Sequence, residues 1–306
     1  MGELVVAIYG PTASGKSATA VALAHQLGGE IVSADSMQVY RGLERITNQP
    51  SEAEREGIPH HLVGYVDPFS AYDVAQFARD AHAAIDGILE RGRVPIVAGG
   101  SGLYLRAALV DLTFPPQIDG VTRDRIQQEV EALGPARAHA ALAERDPAAA
   151  ARIAPTDTRR IVRALELAEQ GATLVPAESD ELWGDAMRHP TRLFALELER
   201  GVVHDRINAR TPRLLDEGGV EEIEALLADS RPLSHTAARA HGLDDVRALS
   251  AGEISRAECE RRLATRTRQF AKRQDTWRRR LAHAELVDAN RTATAVADDI
   301  AERLRA

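Results

Sequence analysis

A single cysteine, Cys259, stands among 306 residues. No disulfide can form within the chain, which suits a reducing compartment. Aromatic residues are scarce too, at 4%, so the core must be built mostly from Ala, Leu, Val and Ile. No apolar run approaches the roughly 20 residues needed to cross a bilayer. The sequence runs from its start into an apolar strand, with no leader-like segment ahead of it. These absences lead to the expectation of a soluble, cytoplasmic protein with no membrane partner. An excess of positive charge is also missing. The formal net charge of −8 argues against a chain wrapped throughout in nucleic acid and leaves room only for a local basic face. Internal repeats and low-complexity tracts are absent. What is present is ordinary globular composition, 44% hydrophobic and 27% charged. The length suits one large domain or a core with an inserted unit.

The most informative segment is Gly10 to Ser17, GPTASGKS. It follows the apolar run Leu4-Val5-Val6-Ala7-Ile8-Tyr9, and Ala20, Leu23, Ala24 and Leu27 then recur at helical spacing. Strand, glycine-rich loop and helix, with the spacing G-x-x-x-x-G-K-S, form a phosphate cradle. Loop N–H groups and the positive end of the helix converge on one spot. Lys16 adds a charge there and Ser17 offers a hydroxyl to Mg²⁺. The expected diphosphate-binding set is Gly10, Pro11, Thr12, Ala13, Ser14, Gly15, Lys16 and Ser17.

Strand and helix alternate over the first ~110 residues, as in an α/β unit with a parallel sheet. Glu30–Ala34 reads as a second strand that delivers Asp35 at its carboxyl end. The apolar run Leu62–Val66 follows. Val74, Phe77, Ala78, Ala81, Ile85 and Ile88 mark an amphipathic helix, and Val94–Ala98 the next strand. Composition shifts at Phe114-Pro115-Pro116. The block 117–188 reads as helical and Ala-rich, and Thr191–Leu198 returns to a strand. The expected division is therefore a P-loop α/β core at 1–116, a helical insert at 117–188, and a return strand with C-terminal helices at 189–306.

Ligands of open parallel sheets bind at the carboxyl ends of strands. The phosphate loop, the Ser33-Ala34-Asp35-Ser36 turn and the Gly99-Gly100-Ser101-Gly102 turn all arrive there. Asp35 can take a proton from a nucleophile or hold Mg²⁺ through water; it can equally cap the next segment. Thr12 is placed to touch a substrate or only to fill a turn. Glycines at 99, 100 and 102 either shape that turn or let a ligand approach the backbone closely. Adjacent His60 and His61 on an extended segment point to opposite faces, which favours structural or packing roles over a metal. Arg206 and Arg210 share a helical face, and either an anionic substrate or an ion pair with Glu217 would satisfy them. Arg159, Arg160 and Arg163 share faces within the helical block. Residues 261–280 hold eight arginines, one lysine and one acid, Asp275. Such density favours a phosphate-backbone contact, with Arg268, Lys272 and Arg273 as candidates. Phe270 and Trp277, on one face of that helix, read as core anchors.

Six segments together resemble the tRNA dimethylallyltransferase (tRNA isopentenyltransferase) family over nearly the whole length. They are GPTASGKS at 10–17, SADSMQVYRGL at 33–43, PHHL at 59–62, GGSGLYLRA at 99–107, DTRRIVRALEL at 157–167 and TRQFAKRQDTW at 267–277. The resemblance implies transfer of a dimethylallyl group from dimethylallyl diphosphate to N6 of the adenosine 3′ to the anticodon, with Mg²⁺, by a monomer. It implies that Asp35 is the general base, and that Thr12 and Arg210 act on the diphosphate. It also implies anticodon-loop contacts from Asp35, Ser36, Met37, Gln38, Ser101 and the Arg159–Arg163 segment, and an insert that swings over the anticodon stem. Two stretches depart from the family pattern. Where family members have D-I-G-T-A-K-P, this chain has Glu44-Arg45-Ile46-Thr47-Asn48-Gln49-Pro50, so Ile46 replaces a glycine and Gln49 a lysine. Gly242-Leu243-Asp244-Asp245 stands for G-Y-K-E. A small-molecule or nucleoside kinase would share the phosphate loop, and a non-catalytic tRNA-binding relative would share the rest.

Overall fold

The computed structural model describes residues 3–174, 182, 184, 186–281 and 283–306. The end of the expected helical block, at 175–181, 183 and 185, lies outside them. The chain divides into two compact units, one comprising Met1–Asp111 and Asp185–Ala306, the other Leu112–Gly184.

The larger unit is built on six parallel strands: β1 (Val5–Tyr9), β2 (Gly29–Ser33), β3 (His60–His61), β4 (Val94–Gly99), β5 (Thr191–Glu197) and β6 (Glu285–Asp288). Their order is β3-β2-β4-β1-β5-β6, parallel at every pairing. β1, β2 and β4 are buried along their whole length. This explains their continuous apolar runs, since a parallel strand covered on both faces has no side to leave polar. Because the strands run one way and β2, β4 and β1 are neighbours, the three turns after them emerge side by side at one sheet edge. That juxtaposition creates the site.

Helix α1 (Lys16–Leu27) follows the phosphate loop and ends on Gly28, whose φ of 62° is the left-handed conformation glycine tolerates. Next come α2 (Glu52–Arg55), α3 (Val74–Glu90) and α4 (Gly102–Leu109). Asp73 and Gln76 form a reciprocal capping box at the start of α3. In the smaller unit, α5 (Gly120–Arg145), α6 (Pro147–Ala150) and α7 (Thr158–Glu169) pack around Ile126, Val130, Leu142, Ile161 and Leu165. Helix α5 is kinked at Gly134, where φ is 73°, just before Pro135. After β5 come α8 (Arg200–Leu214), a π-helical turn at Leu215–Gly219, α9 (Val220–Leu227), α10 (Leu243–Ser250), α11 (Arg256–Arg278) and, after β6, α12 (Ala293–Arg305). Ala20, Leu23 and Ala24 of α1 and Val296, Ala297 and Ile300 of α12 share a core with Ile8, Ile96, Phe194 and Val287 of the sheet.

One expectation is corrected. The C-terminal region is not wholly helical, because β6 adds an edge strand beside β5. Only four residues long and buried at Val287 alone, it leaves almost no periodic signal. The other edge strand is formed by His60 and His61, and the apolar run after them does not continue it. Leu62 turns the chain away with φ of 62°, and Val66 makes only an isolated bridge with Tyr40.

Candidate active site

The phosphate loop is held open by its own bonds. Ala13 and Gly15 take φ of 64° and 87°. Ser14 is buried, with its N–H on the Pro11 carbonyl at 3.2 Å. Gly10 donates to the Gly99 carbonyl at 3.3 Å, tying the loop to the turn after β4. The Thr12 N–H is taken by Gln274 Oε1 at 2.8 Å. Among the described residues, no protein acceptor takes the N–H groups of Ala13, Gly15, Lys16 or Ser17. Those four amides, at the positive end of α1, are placed as a helix N-terminus presents donors to an anion.

Cations surround it. Arg210 Nη2 donates to Thr12 Oγ1 at 2.8 Å and Arg206 Nη1 to the Ala13 carbonyl at 3.3 Å. Both arginines therefore face the loop, and Glu217 pairs instead with Arg213. Arg210 Nε is buried without a partner, and burial holds its guanidinium below the usual arginine range. The Lys16 ammonium is also held below its ordinary value. Burial is the main cause, Arg210 adds to it, and the negative charge of Asp35 opposes it. Desolvated cations without a carboxylate partner are costly, and an anion is the group that would offset that cost.

Asp35 leaves β2 and accepts the Met37 N–H at 3.0 Å through Oδ1. No helix starts here, so Asp35 caps none; the bond is a local Asx turn that occupies one carboxylate oxygen. Ser36 is joined to Ser101 through its N–H and its hydroxyl, both at 3.3 Å. Met37 lies half-buried in the same turn. Gln38, one of the expected tRNA contacts, is buried: it accepts from Ser33 Oγ at 3.1 Å and donates to the Asn48 carbonyl at 2.8 Å. The departing stretch at 44–50 is locked in place. Glu222 accepts the N–H groups of Arg45 at 2.6 Å and Ile46 at 3.0 Å, and Gln49 donates to the Tyr40 carbonyl at 2.8 Å. Ile46 fills space against Gly242, where an added Cβ would lie 3.0 Å from Ile46 Cδ1.

Glycines 99, 100 and 102 are required by the protein's own atoms rather than by a ligand. A Cβ at Gly99 would lie 2.2 Å from the Ala34 carbonyl oxygen, one at Gly100 2.1 Å from Gln274 Nε2, and one at Gly102 2.2 Å from the Trp277 ring. Helix α11 therefore presses directly on these turns.

Part of the arginine block at 261–280 is paired with carboxylates within the chain. Arg261 and Arg262 pair with Glu258, Arg266 with Asp245, Arg278 with Glu197 and Asp275, and Arg279 with Asp275. Arg268 donates to Asn208 and Thr265, and Lys272 is exposed. Arg273 lies 5.7 Å from the Phe270 ring centre. Phe270 is half-buried and packs at 5.0 Å against His241, a residue sequence reasoning passed over. Burial, then the charge of Arg273, holds His241 below the usual histidine range, while Asp35 opposes them. His241 thus stands within electrostatic reach of both Asp35 and Arg273. Phe270 and Trp277 are not core anchors; both sit half-buried at the edge of the site.

In the smaller unit Arg159 and Arg160 are exposed, with Arg160 3.5 Å from Asp157. Arg163 turns inward to the buried Glu166 at 3.1 Å. His61 is tied to Glu30 at 2.7 Å, while His60 contacts the Ile58 carbonyl and lines a small cavity with Lys16 and Ser17. Among the described residues no cluster of three or more His, Cys, Asp or Glu could hold a metal ion, and no helix is long and apolar enough to cross a membrane.

The family model described as IPP transferase matches residues 38–281, and that described as isopentenyl transferase matches 3–63. The chain belongs to the tRNA isopentenyltransferase family. The chain is 44% identical to a tRNA dimethylallyltransferase of Anaeromyxobacter sp. (strain Fw109-5), over 99% of each chain. A tRNA isopentenylpyrophosphate transferase structure from Bacillus halodurans is 33% identical, with a TM-score of 0.70 over 100% of this chain and 97% of that one. A eukaryotic dimethylallyltransferase described as acting on tRNA is 27% identical, with a TM-score of 0.73 over 94% of this chain and 74% of that one.

Proposed function

We propose that this chain is a tRNA dimethylallyltransferase that moves the dimethylallyl group of dimethylallyl diphosphate to N6 of the adenosine 3′ to the anticodon. The observation that carries this reading is Arg210, whose Nε is buried and which has no carboxylate partner among the described residues, on Thr12 beside Lys16 and the four loop amides. That is a site for a strongly anionic group, and Asp35 lies within its field.

In the proposed reaction the N6 lone pair forms a bond to the prenyl carbon that bears the diphosphate as that carbon's bond to the diphosphate oxygen breaks. The N6 proton passes to Asp35, whose Oδ2 is not used by the Met37 N–H. Base assistance of this kind contributes ~10²–10⁴ in rate. Charge builds on the leaving diphosphate, so donors aimed at it supply the larger share. Thr12 orients Arg210 towards that charge. Mg²⁺ fits the donor set, because Ser17 offers one oxygen and this ion commonly completes its shell from phosphates and water. Bound there, it would neutralise diphosphate charge. Reaching the strand ends requires the adenine to leave its stack, at a cost of a few kcal/mol. Phosphate contacts from Arg268, Lys272 and Arg273, and from Arg159 and Arg160 on the smaller unit, would offset it. Ser36, Met37 and Ser101 would line the path of the base. The enzyme is proposed to work as a monomer in the cytoplasm.

Incubation with unmodified tRNA, Mg²⁺ and dimethylallyl diphosphate, followed by digestion and mass analysis, tests the assignment. A prenylated adenosine at the position next to the anticodon is the expected product. Phosphoryl transfer from ATP to a small acceptor, with unmodified tRNA, would contradict it.

A further inference from the structure

Gln274 is a neutral side chain at 2% exposure inside a helix whose hydrophobic stripe runs through Leu263, Ala264 and Ala271. Both ends of its amide are used on other elements. Oε1 accepts the Thr12 N–H at 2.8 Å, and Nε2 donates to the Gly100 carbonyl at 2.9 Å. Its own carbonyl accepts the Tyr9 hydroxyl at 2.8 Å. One residue of α11 therefore bridges β1, the phosphate loop and the turn after β4. The bridge is tight, since a Cβ on Gly100 would strike it.

Ordinary phosphate loops aim their amides at the anion. Here the Thr12 N–H is turned onto the protein, and that bond fixes where the Thr12 hydroxyl sits for Arg210. We propose that Gln274 is a positioning residue for the transfer reaction. It sets Thr12, and through it Arg210, while locking the arginine-bearing helix to the phosphate loop. Tension on α11 at Arg273, its immediate neighbour, is thereby felt at the leaving-group site. The inference rests on the proposed role of Thr12 and Arg210 at the diphosphate.

The test is a double-mutant cycle with Gln274→Met, which keeps size and removes both amide bonds, and Thr12→Val, which removes the hydroxyl and keeps the loop N–H. The expected result is a 10- to 100-fold loss of kcat in Gln274→Met, with tRNA Kd unchanged within about twofold. In the double variant the further loss beyond Thr12→Val should stay under about threefold. Losses that multiply in full would overturn the proposal for Gln274 alone. A Thr12→Val enzyme with native turnover would instead remove the diphosphate reading beneath it. Should Gln274→Met fail to fold, Gln274→Glu gives an independent readout. Burial beside the Gly100 carbonyl raises the pKa of the new carboxyl. Protonated, it donates to Gly100 and accepts from Thr12, as glutamine does. Turnover relative to the native enzyme should rise as pH falls from 8 to 6, and a flat ratio would count against the proposal.

Discussion

Arg210→Met is expected to abolish useful turnover while leaving the protein as stable as before, or more so. The reason is the environment of the guanidinium. It is desolvated, and among the described residues its Nε has no partner and its bond is to the neutral Thr12 hydroxyl. A buried donor left unmade costs about 1–3 kcal/mol, against a gain of about 1 kcal/mol for the neutral hydrogen bond. Methionine fills much of the same volume without that penalty. The net effect on unfolding lies between zero and about 2 kcal/mol of stabilisation, a rise in Tm of up to a few degrees for a chain of this size. Removal of one preorganised donor at a developing anion typically lowers kcat by about 10²–10³-fold. Thermal unfolding with and without pyrophosphate measures both effects. The native enzyme should gain Tm with pyrophosphate, and the variant should gain much less. A fall in Tm of several degrees on substitution, with the pyrophosphate response intact, would show that Arg210 is a structural clamp and would refute the reasoning.

Asp35→Asn keeps the bond from the Met37 N–H through its amide oxygen but removes the base; steady-state assays should find kcat lowered by about 10²–10⁴, with tRNA Kd nearly native by filter binding. The lowered pKa of Lys16 means that its charge is lost as pH rises, beginning below the ordinary value of 10.5. Pyrophosphate affinity, followed by calorimetry, should therefore weaken with rising pH in the native enzyme and weaken less steeply in Lys16→Met. Gly99→Ala drives a methyl group into the Ala34 carbonyl, and backbone cannot yield as a side chain can. Its loss of stability by urea titration should exceed the roughly 1–3 kcal/mol typical of overpacking. Arg273→Ala should weaken tRNA binding and reduce the slope of log K against log salt by about one; an unchanged slope would remove Arg273 from the phosphate contacts.

The parts of the site written in short, local patterns were legible in the sequence. A strand, a glycine-rich loop and a helix announce a phosphate cradle because backbone geometry alone builds it. The order of strands and turns also brought Asp35 and Ser101 to the same sheet edge. Contacts made by residues far apart in the chain were not legible. Gln274 looks like one polar residue in a basic helix until its 2% exposure is seen, although its placement on the stripe of Leu263, Ala264 and Ala271 was a readable signal. The net charge of 261–280 read from the block alone leaves out partners elsewhere in the chain, because Asp245, Glu258 and Glu197 lie outside the block. Glycines 99, 100 and 102 marked close approach correctly, but the approaching atoms belong to Ala34, Gln274 and Trp277. The altered 44–50 stretch conveyed only a departure. Its replacement bonds to Tyr40 and Glu222 depend on the folded chain.

The most direct measurement is a crystal structure of the enzyme with pyrophosphate and an unmodified anticodon stem-loop. The account predicts pyrophosphate on the amides of Ala13, Gly15, Lys16 and Ser17 with Arg210 against it, and the target adenine N6 within hydrogen-bond distance of Asp35. Pyrophosphate held elsewhere, or N6 facing a group other than Asp35, would contradict it.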